Sequence, residues 1–135
     1  MKYLLDTNVL SDARRRSSPR LSRWLAEQRV IDLGISAITL LELELGVRLM
    51  ERRDARQGAA LRRWLQDQVV AAFSGRVLPV DGPVAIQCAG LHVPDRMPDM
   101  DALIAATALA HDLTLVTRNT DDMARPGVRL LNPWD

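Results

Sequence analysis

The chain predicts an α/β fold, a central parallel sheet of four to five strands with helices on both faces. Two observations carry the prediction. Short apolar runs alternate along the chain with longer stretches whose apolar residues recur at helical spacing. That alternation is the pattern of a parallel sheet whose crossovers are helices. The 135 residues, 47% hydrophobic and 26% charged, also suit one domain with a real core, spanning 1–135. In such a sheet the binding crevice lies beyond the carboxyl ends of the strands.

The elements follow in order. Residues 2–5 read as a short buried strand, broken at Asp6-Thr7-Asn8, with a helix from Val9 to about Arg15. Ser18 as N-cap and Pro19 at the first helical position open a second helix, with Leu21, Trp24 and Leu25 on its inner face. Residues 31–35 form a second strand, and Ser36 caps an apolar helix reaching about Arg53. An amphipathic helix spans 54–73, with Leu61, Trp64, Leu65 and Ala72 opposite Arg56, Arg63 and Asp67. A third strand covers 77–80, and Asp81 caps a helix to about Leu91. Pro98 or Asp99 starts another helix, which ends near His111. Residues 113–117 are a fourth strand and 128–131 a candidate fifth.

Composition excludes several classes. The lone cysteine, Cys88, cannot form an internal disulfide and lies in an apolar run suited to a buried, inert thiol. The N-terminus has one basic residue and an Asp inside its apolar stretch, so it is not a signal peptide. The longest apolar window, 102–110, falls far short of the ~20 residues a membrane span needs. These features predict a cytoplasmic protein. The net charge of +1 hides an asymmetry, because residues 12–63 carry 12 Arg against seven acids and residues 64–135 five Arg against nine acids. Seventeen of the 18 basic residues are Arg, a side chain suited to bidentate phosphate or carboxylate contacts.

Four acidic positions stand out. Asp6 ends the first strand, and Asp121 and Asp122 follow the fourth, both on the edge where α/β sheets place ligands. A turn or helix N-cap would explain either one alone. By a rotation of about 100° per residue, Glu44 and Arg48 share a helix face, while Glu42 stands roughly 160° and 120° from them. Glu42 instead neighbours Ile38, Leu45, Gly46 and Leu49. A carboxylate there is expected to be at least partly buried and to need a positive partner, an Arg or a metal. Asp101 sits one turn inside its helix, where the dipole alone would favour an acid, and Asp99 competes for the cap. Four carboxylates in one crevice at ~6 Å would repel by about 3 kcal/mol per pair at an effective dielectric of 20. Six such pairs rival the roughly 5–15 kcal/mol stability of a domain. Together the acids would therefore require protons or cations, and an all-oxygen set favours Mg²⁺ or Mn²⁺ over zinc.

Five segments in order resemble the successive motifs of PIN-domain proteins. They are Leu4-Leu5-Asp6-Thr7-Asn8-Val9-Leu10, Ser36-Ala37-Ile38-Thr39-Leu40-Leu41-Glu42-Leu43, Asp101-Ala102-Leu103-Ile104-Ala105-Ala106-Thr107-Ala108, Leu115-Val116-Thr117-Arg118-Asn119, and the tail Gly127-Val128-Arg129-Leu130-Leu131-Asn132-Pro133-Trp134. The tail is similar to that of the VapC/FitB branch, the toxin halves of bacterial toxin–antitoxin pairs. The resemblance implies one PIN domain over 1–135 acting as a divalent-metal-dependent endoribonuclease. It implies that Asp6, Glu42, Asp101 and a fourth acid hold one or two Mg²⁺ or Mn²⁺ ions. Asn119, Asp121 and Asp122 share the fourth position's loop, and register favours Asp122. The implied chemistry is in-line hydrolysis of an RNA phosphodiester by water acidified by the ion. Thr7, Asn8 and Thr117 would orient ligands or water. Arg14, Arg15, Arg16 and Arg20, on the bland reading a solvated face, would hold substrate phosphates. The resemblance further implies a homodimer and a cognate antitoxin of the VapB/FitA type, whose tail sends an Arg or Lys into the acidic centre.

Two other readings compete. A catalytically inactive PIN module would keep the fold and bind RNA or protein without chemistry. A haloacid-type phosphatase also ends its first strand in Asp, but that class uses a second Asp two positions on, where this chain has Asn8. His92 and His111, near helix ends, are not expected to act as general bases. Trp134 is expected to pack the chain end. Five aromatic residues make no stacking platform for single strands.

Overall fold

The computed structural model describes residues 1–134; Asp135 lies outside the described residues. Five parallel strands form the sheet in the order β3-β2-β1-β4-β5. They are β1 (Tyr3–Leu5), β2 (Leu33–Ser36), β3 (Val77–Leu78), β4 (Thr114–Val116) and β5 (Leu130–Leu131). Tyr3 is in register with Leu33 on one side and Thr114 on the other, so β1 is the central strand. The chain builds outward from β1 to β3, then crosses over to lay β4 on the other flank. The order therefore reverses between β1 and β4, and that switch point is where such sheets leave a crevice.

Side chains alternate across the pleat into two cores. Leu4 and Leu115 face a layer built on α5 (Gly82–Leu91) and α6 (Asp99–Ala110). Leu5, Ile35 and Val116 face the other layer, with α1 (Thr7–Arg15), α2 (Pro19–Glu27), α3 (Ala37–Arg53) and α4 (Ala55–Trp64). A short helix α7 (Thr120–Met123) follows β4 and buries Met123. Strands buried on both faces read as continuous apolar runs, which is why they were legible despite their shortness.

Caps formed largely where the residue types allow. Ser18 accepts from the Leu21 N–H ahead of Pro19, Ser36 accepts from Ile38, and Asp81 from Val84. Several boundaries differ from expectation. The first helix begins at Thr7, not Val9, because Asp6 itself is the N-cap and accepts the Thr7 N–H at 2.7 Å. Residues Val30–Asp32 form a 3-10 turn, leaving Val30 and Ile31 exposed, and the second strand starts at Leu33. The 54–73 helix is not uniform, since it passes from α4 into a π-helical turn at Leu65–Val70 that buries Leu65 and Val69. Pro98, not Asp99, is the α6 N-cap and supplies no side-chain bond. Gly58 is needed where α4 meets α3, because a Cβ there would lie 2.6 Å from Glu51 Cα. Trp134 packs half-buried against the α1–α4 layer. Among the described residues no helix is long and apolar enough to cross a membrane.

Candidate active site

Asp6 leaves the end of β1 at the switch point, and its backbone N–H donates to Val116 O of β4 at 2.9 Å. The residue is 5% exposed. Its two carboxylate oxygens are held differently. Oδ1 accepts the Thr7 N–H, while Oδ2 accepts the Thr117 hydroxyl at 2.8 Å and the Asn8 amide at 3.4 Å. Thr117 Oγ1 in turn accepts the Asn8 amide at 3.3 Å and the Asn119 N–H at 3.1 Å. Asn8 thus donates toward Asp6, a role the carboxylate of a phosphatase acid could fill only if protonated.

Glu42 on α3 is half-buried. Its Oε1 accepts the Thr7 hydroxyl at 2.6 Å, and Thr7 Oγ1 also lies 3.1 Å from Thr39 Oγ1. Two features of its surroundings differ from expectation. Leu45 and Leu49, its helical neighbours, are 51% and 60% exposed, so they do not bury it. It is shielded from the α1 side, where Thr7, Ser11, Arg14, Arg15, Leu43 and Trp64 are among the residues lining a groove of about 240 Å³ with it. Of the two expected partners, an Arg or a metal, the Arg is not present, because among the described residues Glu42 forms no ion pair. Glu44, on the opposite side, pairs with Arg48 as its spacing predicts and with Arg62 of α4 as well.

Asp101, in the first turn of α6, and Asp122, in α7, complete the group. Burial pushes the Asp6 carboxyl above the usual range, the hydrogen bonds from Thr117 and Thr7 oppose this, and the charges of Asp101 and Glu42 add to it. Asp101 is likewise raised, first by burial and then by Glu42 and Asp122. Asp6, Glu42 and Asp101 therefore share one electrostatic neighbourhood, which the exposed Asp122 joins at its edge through Asp101. Among the described residues none of the four is ion-paired. Asn119, Asp121 and Asp122 are all exposed; Asp121 contributes to neither shift, and Asn119 joins only through its backbone N–H. Among the described residues, no three acidic, His or Cys side chains stand close enough to enclose an ion as they are. The donor set nonetheless suits a hard cation. Magnesium keeps several waters and takes only one or two carboxylates along with substrate phosphate, which an open crevice of oxygen donors permits.

The arginines divide. Arg14 and Arg15 line the groove that leads from Glu42, with Arg14 lying over the Trp64 ring at 5.8 Å. Arg16 ends α1 in the left-handed conformation and borders a neighbouring groove with Gln68 and Phe73. Arg20 faces the C-terminal segment near Leu131 and Pro133. The larger cavity, about 510 Å³ between Gln87, Pro94, Leu109 and Arg125, contains none of the four carboxylates. His92 is occupied outside the crevice, accepting the Met97 N–H at its Nδ1. Sequence reasoning missed two charged residues beside the crevice, Asp12 and Arg118. The available signal was Asp12 falling four residues after Asn8, on the same face of α1.

A parallel α/β sheet with unpaired carboxylates at its switch point has the form of an acidic-centre phosphodiester hydrolase, and the comparisons with known proteins narrow that class. The PIN domain pattern matches residues 3–128, and the chain belongs to the PIN-domain family. It is 36% identical over 137 residues to Toxin FitB of Neisseria gonorrhoeae, covering 97% of each chain. It is 33% identical over 138 residues to the VapC ribonuclease Y4jK of Sinorhizobium fredii, covering 98% of this chain and 97% of that one. The crystal structure of FitAcB from Neisseria gonorrhoeae superposes with a TM-score of 0.90 at 36% identity, covering 98% of both chains.

Proposed function

We propose that this chain is the toxin of a toxin–antitoxin pair, an endoribonuclease that hydrolyses RNA phosphodiester bonds with Mg²⁺ or Mn²⁺. The observation that carries the reading is the set of four carboxylates at the switch point with no cation paired to any of them among the described residues. The relatives named as a toxin and as a VapC ribonuclease support the same activity. Asp6, Glu42, Asp101 and Asp122 would hold one or two ions. A divalent ion supplies Lewis acidity, which acidifies water and offsets charge on a phosphate. The chain's own residues set the donors. Thr117, Asn8 and the Thr7 N–H fix both oxygens of Asp6, and the Thr7 hydroxyl fixes Glu42. Arg14 and Arg15, along the adjoining groove, would hold substrate phosphates, with Arg16 and Arg20 farther out.

The same repulsion explains a need for an inhibitor. A VapB/FitA-like antitoxin that places a cation among the acids would neutralise them, and solved relatives are toxin–antitoxin complexes such as FitAB and VapBC. By the family resemblance the active form would be a homodimer, and an RNA target would be met in the cytoplasm. Purified protein is expected to cleave RNA with Mn²⁺ and to stop when EDTA is added. Asp6→Asn and Asp101→Asn should each abolish cleavage. Cleavage that survives both chelation and substitution would overturn the reading. Absence of divalent-ion binding by calorimetry would leave a catalytically inactive module that binds RNA or protein.

A further inference from the structure

Asp12 is 5% exposed, a buried carboxylate outside the acidic group. Its Oδ1 accepts from Arg15 Nη1 at 3.2 Å. Its Oδ2 is 3.1 Å from Arg118 Nη1, in ion-pair contact but off the line of a hydrogen bond, and takes no hydrogen bond from any described residue. Burying an acid in a helix costs stability unless a charge partner answers it. Arg118 is that answer for Oδ2, and it reaches from the segment just beyond β4.

Arg118 is anchored through its guanidinium and both of its backbone polar groups. Its guanidinium lies 5.5 Å over the Trp134 ring, and its carbonyl accepts from Asn132 Nδ2 at 3.4 Å. Its backbone N–H donates to Asn8 Oδ1 at 3.3 Å. The residues on either side of it in sequence are Thr117, whose hydroxyl donates to Asp6, and Asn119, whose N–H donates to Thr117. The bonds form a closed circuit from Asp12 through Arg118 and Thr117 to Asp6, and back along α1 through Asn8.

We propose that Asp12 and Arg118 are positioning residues that clamp the segment after β4 onto α1, so that Thr117 and Asn8 hold Asp6 in one orientation. The functional readout rests on the metal-dependent reading given above, but the clamp itself does not. Asp32 provides a matched control. It is a second buried Asp paired to an Arg, Arg29 at 3.1 Å, at the start of β2 and so on the opposite edge of the sheet.

The test compares Asp12→Asn, Arg118→Gln, the double variant and Asp32→Asn. Mn²⁺ affinity is measured by calorimetry, and amide hydrogen exchange at Arg118 and Asn119 is followed without metal. Loss of a group that orients a metal ligand typically weakens affinity about 10- to 100-fold. Each single variant is expected to weaken Mn²⁺ binding about 10-fold and to speed exchange at both amides. The double variant is expected to match the weaker single one, because both break the same link. Asp32→Asn should lower the melting temperature and change neither readout. Arg118 is more than half exposed, so Arg118→Gln keeps the test open if Asp12→Asn does not fold. Exchange in Arg118→Gln that matches the wild type, or equal effects in Asp32→Asn, overturns the clamp. If the wild type binds no Mn²⁺, the metal-dependent reading fails while the exchange contrast still decides the clamp.

Discussion

Glu42 and Glu44 stand two residues apart on α3 and live in opposite electrostatic regimes. Glu44 takes Arg48 at 2.7 Å and Arg62 at 2.5 Å, and Arg62 continues to Glu51 at 3.0 Å. The guanidiniums of Arg62 and Arg48 hold its carboxyl down at about 2. Among the described residues Glu42 has only a threonine hydroxyl. The fold therefore does not lack cations; it pairs them with carboxylates along the α3–α4 seam, while those near the crevice form no ion pair with its four acids among the described residues. Local satisfaction of charge is the rule at the seam, and its absence marks the place where a ligand completes the balance.

The largest expected effect tests that contrast directly. Glu42→Gln should reduce RNA cleavage about 100-fold or more, since removing a candidate metal donor should cost at least as much as removing its support. Glu44→Gln, two residues away, should leave cleavage within about twofold. Equal losses in single-turnover assays would mean that the two carboxylates do not differ in role.

A smaller effect concerns stability. Asp101 has its carboxyl raised by burial and by Glu42 and Asp122, so its ionisation costs folding stability, a cost that sets in as the pH rises through its folded value. In EDTA at pH 7, Asp101→Asn is expected to raise the melting temperature by about 2–4 °C, the size of a 1 kcal/mol change in a domain of this order. A melting temperature that falls instead would show that the repulsion is not a net cost.

The smallest effect appears only in acid. The folded value of Glu44, about 2, lies below its ordinary 4.5. Its contribution to stability is therefore present above about pH 4.5 and is lost as the pH falls toward 2. Glu44→Gln removes that contribution, so melting curves of variant and wild type should differ at pH 6 and converge near pH 2. Parallel curves throughout would show that the seam's ion pairs add nothing measurable, as many surface pairs do.

Much of this layout was legible in sequence because it depends on local patterns. Apolar runs with capping residues announced β1, β2 and β4 and the helices that follow β1 and β2, but not α7 after β4, and the acids at strand ends followed from the fold class. What stayed hidden depended on partners far away in the chain. Helical rotation put Glu42 opposite Glu44 correctly, yet it named Leu45 and Leu49 as buried neighbours when both face outward. Rotation gives angles between side chains, not which angle faces the core. The π-helical turn at Leu65–Val70 arises where the helix is packed against the α1–α4 layer, and no residue type announces it. The Asp12–Arg118 pair spans more than a hundred positions, so no local signal links its two ends.

That separation has a consequence for how the protein is made. Asp6 is synthesised before its hydroxyl donor, Thr117, which lies 111 positions later. At synthesis rates of about 5–20 residues per second, roughly 5–20 s pass between them. Through that interval the central strand has no neighbour on its β4 flank, and Asp6 has no Thr117. A nascent or prematurely terminated chain thus carries the first acid of the crevice without the segment that orients it. For a protein that cuts RNA, the topology defers assembly of the site until the segment after β4 has been made.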